Sequence, residues 1–188
     1  MSATEVDTIV IGAGQAGIAT SEHLSANGIK HVVFERDRIA ESWRTRRWDS
    51  LVANGPAWHD RFPALDFKGH SGEAFVPKDA VVSYFEDYVT HIKAPVKCGV
   101  DVTHVTRNSA FGGFDVTTTT GPYRAQHIVA ATGAFQTPVI PSIIHKDAGL
   151  QQMHSADYRN PEQLRQGAVL VVGAGSSGAQ IAQELMKS

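Results

Sequence analysis

Hydrophobic positions follow three rhythms along this chain. Largely apolar runs of strand length lie at 6–11, 31–35 and 168–172, the first and last leading straight into a glycine, and read as strands. Helical spacing follows at 15–27, with Ile18, Ala19 and Leu24 as inward candidates. It recurs at 78–92, with apolar residues at 81, 82, 85, 88, 89 and 92, and again through Ile181, Ala182, Leu185 and Met186. Between these, Val100-Asp101-Val102-Thr103-His104-Val105 alternates with period two. The stretches 96–107, 112–120 and 123–131 therefore predict a β-meander, turned by Gly112-Gly113 and Gly121-Pro122. Residues 62–77 and 136–166 read as irregular, the latter interrupted by Pro138, Pro141 and Pro161. Apolar strands alternating with amphipathic helices predict an α/β fold with a parallel sheet.

The first strand runs into Gly12-Ala13-Gly14-Gln15-Ala16-Gly17, at the start of the first helix. Each glycine has a mechanical reason. Gly12 permits the tight turn, Gly14 lets backbone approach a pyrophosphate, and Gly17 lets helix pack on strand. The helix start, with Gln15, then offers free N–H groups and the positive end of its dipole to phosphate. Gly28 is placed to end that helix as a C′ glycine. Glu35, at the tip of the second strand, stands where a ribose hydroxyl pair would be held; the plainer reading is a solvated strand-end charge. The same arrangement returns late in the chain. The run 168–172 leads into Gly173-Ala174-Gly175-Ser176-Ser177-Gly178 and a helical stripe. Two such turns, each between strand and helix, point to two dinucleotides.

Composition narrows the class further. The 188 residues are 42% hydrophobic and 19% charged, as in a soluble globular protein. A formal net charge of −2 advertises neither nucleic acid nor an anionic membrane as partner. No apolar run reaches bilayer length, and residues 1–5 are too short and polar for a signal peptide. The single cysteine, Cys98, excludes an intrachain disulfide or a Cys-x-x-Cys pair within these residues, and a cytoplasmic location is the default expectation. Nine histidines show no i, i+4 pair, so no metal site is expected.

All three tryptophans fall in 36–63, among arginines: Trp43-Arg44-Thr45-Arg46-Arg47-Trp48, then Asn54-Gly55-Pro56-Ala57-Trp58. Such a cluster can bind single-stranded nucleic acid by stacking and phosphate contacts. After a dinucleotide-type unit, enclosure of a planar ring cofactor is the preferred reading, and indoles filling the core are the alternative.

Taken together, these residues resemble the class B flavin-dependent monooxygenases, which include flavin-containing N/S-oxygenases, indole-pyruvate monooxygenases and Baeyer–Villiger enzymes. The resemblance covers essentially the whole chain as the N-terminal portion of such an enzyme. It implies a Rossmann-like, three-layer FAD-binding fold with a small antiparallel meander insert, plus the truncated start of a second Rossmann-like NAD(P)-binding domain. The implied division is 1–141 for the FAD-binding part, 142–166 for a linker and 167–188 for the second domain. FAD falls to Gly12, Gly14, Gln15, Gly17, Glu35 and Arg36, to Trp43 and Arg44, and to Thr132 and Gly133 of an Ala-Thr-Gly segment. Val102 matches a valine whose backbone meets adenine, and Asn54 an asparagine near the flavin C4a position. NADPH, with NADH as the alternative, falls to Gly173, Gly175, Ser176, Ser177 and Gly178. His154 and Tyr158 fit the inter-domain hinge motif. Its Phe and Gly positions hold Ala148 and Leu150, and the Gly-Gly expected before Trp43 is Ala40-Glu41. Tyr158, where Baeyer–Villiger enzymes carry Trp, tilts the resemblance towards the other two types.

The resemblance implies a monooxygenase that takes hydride from NAD(P)H and inserts one atom of O₂ into a small organic substrate through a C4a-(hydro)peroxyflavin. Asn54 would be its catalytic hydrogen-bond donor. A disulfide reductase shares the two-turn layout but needs a redox cysteine pair. The remaining alternatives are a flavin/NAD(P)H oxidoreductase without oxygenation and a non-catalytic nucleotide-binding fragment. Because a nucleotide-binding half needs at least β-α-β, the second domain is expected to be incomplete here. A homo-oligomer or a complementing C-terminal fragment is then the expected macromolecular partner.

Overall fold

A computed structural model describes residues 2–142 and 149–188. Ala148 and His145, with residues 143–148 of the expected linker, lie outside the described residues. Two compact units emerge. The first comprises 1–41, 62–65 and 82–136, and the second 42–61, 66–81 and 137–188.

The first unit is built on a six-stranded sheet of order β5-β2-β1-β8-β7-β6. β1 (Thr4–Ile11) lies parallel between β2 (His31–Glu35) and β8 (Gly121–Ala130). Its two-residue alternation sends Ile9 to one face and Val10 to the other. Ile9 packs with Val32, Phe34, Val100, Val116 and Ala125; Val10 packs with Ala13 and Val33, with Leu24 of α1 (Gln15–Ala26) against them. Where the strand is covered on both faces it has to be apolar, which explains the run Ile9-Val10-Ile11 that leads into the glycine turn. β8 is the shared strand, pairing parallel with β1 and antiparallel with β7 (Gly113–Thr118), which in turn pairs with β6 (Val102–Asn108). This is the α/β sheet with a meander expected from the pattern, in the Rossmann-type arrangement that the resemblance implies.

α1 ends as Gly28 predicted. Its φ of +67° allows the Gly28 and Ile29 N–H groups to reach back to the Ser25 and Leu24 carbonyls, closing the helix in a Schellman motif. The stretch 96–107, expected as one strand, is two. Gly99 at φ +72° breaks it: β5 (Val96–Cys98) adds to β2 in parallel, and the meander begins only at Val102. A pairing with β2, distant in sequence, leaves no local trace.

α4 (Lys78–His91) carries the predicted stripe. Its Tyr84, Phe85 and Tyr88 surround Phe62, with ring centroids 5.8, 5.2 and 4.5 Å away. The Tyr84 hydroxyl accepts from the Phe62 N–H at 2.6 Å and donates to the Leu65 carbonyl at 2.8 Å. Residues 62–65, expected as plain connection, are thus pinned into the first unit by one aromatic cluster.

In the second unit, β3 (Val52–Pro56) pairs antiparallel with β4 (Phe75–Pro77), neither of which the pattern predicted. Both are short, and Pro and Gly blunt the alternation. Trp48, Leu51, Tyr158 and Ile181 form a core, with Trp43, Met153, Leu164 and Leu185 around it. The run 168–172 differs from expectation: it forms no strand, and Val169, Leu170 and Val172 are exposed. A strand exists only through ladder bonds to a neighbour, and among the described residues none pairs with it.

Phe62→Ala should cost about 3–5 kcal/mol through the cavity left among three aromatic rings. Urea unfolding of the full-length protein checks this, and a loss under about 1 kcal/mol would mean the cluster does not anchor 62–65.

Candidate functional site

The first glycine turn is set by close backbone contacts. Gly12 takes φ +106°, and a Cβ there would lie 2.5 Å from the Ala131 carbonyl oxygen. Its N–H donates to Phe34 O at 2.7 Å, while Ala131 N–H donates to Ile11 O at 2.9 Å. The ends of β1, β2 and β8 are thereby locked around the turn. Gly17 faces Gly12 so closely that a Cβ would sit 1.8 Å from the Gly12 carbonyl oxygen. Around Gly14 there is open space: no heavy atom stands within 4 Å of where its Cβ would be. Gly14 is the N-cap of α1, no side chain caps it, and the first helical bond is Ile18 N–H to Gly14 O at 3.0 Å. The N–H groups of Gln15, Ala16 and Gly17 precede that bond, with no acidic residue in the first turn.

Glu35 reaches the same turn. Its Oε2 accepts from Ala13 N–H at 2.8 Å and its Oε1 from Asp37 N–H at 3.0 Å. An ionised carboxylate has about four acceptor positions, so two remain for a ligand hydroxyl. Arg36 is exposed, paired with Asp37 at 3.1 Å and touching Gln136 at 3.5 Å. Gln136 in turn donates to the Thr132 carbonyl, beside Gly133 at φ +82°. The structure thus gathers Gly12, Gly14, Gln15, Gly17, Glu35, Arg36, Thr132 and Gly133 at the carboxyl ends of parallel strands, where α/β sheets bind ligands. Val102 opens β6 and packs against the Ile9 core; two residues earlier, Val100 N–H donates to Glu35 O at 2.9 Å.

The second glycine turn repeats the geometry. Gly173 has φ +108°, and a Cβ on Gly178 would lie 2.2 Å from the Gly173 carbonyl oxygen. Gly175 is the uncapped N-cap of α5 (Ser176–Leu185), with Ser176 and Ser177 in the first turn and no acidic residue there.

Of the remaining expected residues, Trp43 is half-buried on the Trp48 core, with the Arg47 guanidinium 5.9 Å from its ring centre. Arg44 is its neighbour on α2 (Glu41–Thr45). Trp48 is 3% exposed and fills core, so of the two readings of the indoles it follows the structural one, while Trp58 is exposed. Asn54 is exposed on β3, where its Oδ1 accepts from Gln180 Nε2 at 2.8 Å. Both line a cavity of about 350 Å³ with Trp48, Phe75 and Glu184. His154 closes a local turn: Nδ1 accepts from Ala156 N–H at 3.0 Å, and its carbonyl accepts from Asp157 N–H. Tyr158 is buried, and its hydroxyl donates to Glu184 Oε2 at 2.7 Å. Burial, then the Glu184 carboxylate, push that phenol well above its ordinary value near 10. Motif reading passed over Gln136, Gln180 and Glu184; the only trace of the last two is their i, i+4 spacing on one helix face.

Residues 9–188 match the family described as pyridine nucleotide-disulphide oxidoreductase. The chain belongs to that family. It is 41% identical over 182 residues to a CzcO-like oxidoreductase of Geobacillus kaustophilus, covering 96% of this chain and 51% of that one. It is 32% identical to a probable indole-3-pyruvate monooxygenase, YUCCA1, of Arabidopsis thaliana, covering 95% and 44%. A solved flavin-containing monooxygenase from Stenotrophomonas maltophilia superposes with TM-score 0.87 at 26% identity, covering 98% of this chain and 56% of that one. The chain spans about half the length of the curated relatives it matches. These relatives bear out the resemblance to flavin-dependent monooxygenases and the N-terminal placement, and the family implies flavin and nicotinamide cofactors. Among the described residues no helix is long and apolar enough to cross a membrane.

Gly17→Ala should destabilise the protein by about 3 kcal/mol, because backbone rather than a flexible side chain blocks the new methyl. Gly14→Ala should cost only about 1 kcal/mol, as a poorer N-cap in open space; chemical denaturation of both variants checks the contrast. Tyr158 keeps its proton in the folded state at pH values where the unfolded chain ionises. Its contribution is therefore whole below about pH 10 and is lost as pH rises further. Stability against pH should fall less steeply above that point in Tyr158→Phe; parallel curves would remove Tyr158 as the cause.

Proposed function

We propose that the full-length protein is an FAD- and NAD(P)H-dependent monooxygenase that inserts one atom of O₂ into a small organic substrate. On this reading the FAD-binding part is 1–141, the linker 142–166, and the NAD(P)H-binding domain begins at 167. The observation that carries it is the pair of matching glycine turns, Gly12/Gly17 and Gly173/Gly178, each opening a helix whose N-cap lacks a side-chain bond.

The residues of the first turn fit a dinucleotide. Open space at Gly14 admits a pyrophosphate against bare backbone, and uncapped N–H groups with the dipole's positive end suit its charge. Glu35, steadied by two backbone donors, would take the adenosine ribose. Arg36, Trp43, Arg44, Val102, Thr132 and Gly133 would complete the hold on FAD, as the family resemblance assigns them. Gly173, Gly175, Ser176, Ser177 and Gly178 would grip the nicotinamide nucleotide, NADPH before NADH. Bound flavin supplies the redox and oxygen chemistry; this chain's part is to orient it and keep water from it. Asn54 would be the catalytic residue, giving a hydrogen bond beside the reacting carbon of the flavin ring. His154 and Tyr158 would set the hinge, Tyr158 through its bond to Glu184. A cytoplasmic location, and a homo-oligomer or a complementing fragment as partner, belong to the same reading.

A disulfide reductase is the second reading, and it needs a redox cysteine pair. Within these residues the only thiol is Cys98, on β5, pushed up in pKa chiefly by burial.

Purified full-length protein should carry the visible flavin spectrum and be bleached by NADPH under argon. Bound flavin that NADPH leaves coloured would instead indicate a non-catalytic nucleotide-binding protein. Asn54→Ala should keep its flavin but release more peroxide per NADPH oxidised, and unchanged coupling would exclude Asn54 from the role.

A further inference from the structure

α5 does more than present the second glycine turn. Ile181 is buried among Trp48, Leu51 and Tyr158, and Leu185 packs beside them. Glu184 accepts the Tyr158 hydroxyl at 2.7 Å. Those contacts fix the rotation of the helix about its axis, and Gln180, one turn before Glu184, is thereby aimed at β3. There its Nε2 donates to Asn54 Oδ1 at 2.8 Å, on the wall of the cavity of about 350 Å³. A carboxamide has one accepting and one donating end. Gln180 has the same two ends, so the pair is joined whichever way the two amides are turned.

We infer that Gln180 is a positioning residue: its hydrogen bond to β3 holds the Asn54 carboxamide on the cavity wall and so sets how that group is presented to the flavin. The inference rests on the proposed role of Asn54 and adds to it a source of orientation, on the helix of the nicotinamide turn. Gln180 makes no chemical contact of its own in this scheme. A glutamate of the same size would instead impose one polarity on the pair. As a carboxylate it accepts only, so it would draw Nδ2 of Asn54 towards α5 and turn Oδ1 outward. A space-filling role for residue 180 would tolerate that change, and a hydrogen-bonding role would not.

The test uses the full-length holoenzyme with Asn54→Ala, Gln180→Glu, Gln180→Leu and the double variants. Peroxide released per NADPH oxidised is one readout. The visible absorbance of the oxidised bound flavin, which needs no turnover, is the other. Gln180→Glu should raise peroxide release about three- to tenfold, the size expected for one misdirected hydrogen bond, and shift the flavin band at unchanged FAD content. Gln180→Leu should lie between it and the parent. Either substitution added to Asn54→Ala should change nothing further, because Gln180 acts only through Asn54. If Gln180→Glu loses FAD altogether, the Gln180→Leu and Asn54→Ala pair decides by the same non-additivity. A parent-like Gln180→Glu, or additive double variants beside an impaired Asn54→Ala, overturns the inference and leaves Asn54 in place. A parent-like Asn54→Ala overturns both.

Discussion

The first unit depends on a contact that a single methyl group would destroy. Gly17 rests on the Gly12 carbonyl at a distance no Cβ could tolerate, and Gly12 itself lies against the Ala131 carbonyl. Helix, turn and two strand ends are brought to backbone–backbone approach. The consequence is directional. α1 is brought in so that its first N–H groups open onto the space at Gly14, beside the strand ends. A bulkier packing would move the helix start away and leave the turn unable to face an anion.

The second turn reaches nearly the same φ and the same close approach of Gly178 to Gly173, although residues 168–172 form no strand. The turn and the helix start are therefore local properties of the six residues, set by where glycine permits positive φ and where a Cβ is forbidden. The strand is not local. It requires a neighbour to bond to, and a continuous apolar run supplies only the surface that a neighbour would bury.

Core packing and polar contact share one helix in the second unit. Tyr158 and Ile181 close a hydrophobic cluster around Trp48, and the same packing turns α5 so that Glu184 meets Tyr158 and Gln180 meets Asn54. Trp48 is buried in that cluster and helps hold the helix in register. Burial at Trp48 and polar contact at Asn54 are two outcomes of one helix orientation.

The fold class, both glycine turns, the Gly28 helix stop and the meander were legible in the residues, because each rests on short-range rules of φ, periodicity and turn chemistry. The place of Glu35 at the tip of its strand was legible too, since it closes the run of β2. Tertiary structure alone decided the rest. It set the β3–β4 pairing, the split at Gly99 that sends β5 to β2, the aromatic clasp on Phe62, and the partners Gln136, Gln180 and Glu184. Each of these joins residues far apart along the chain, where no local period or spacing records which surface will meet which.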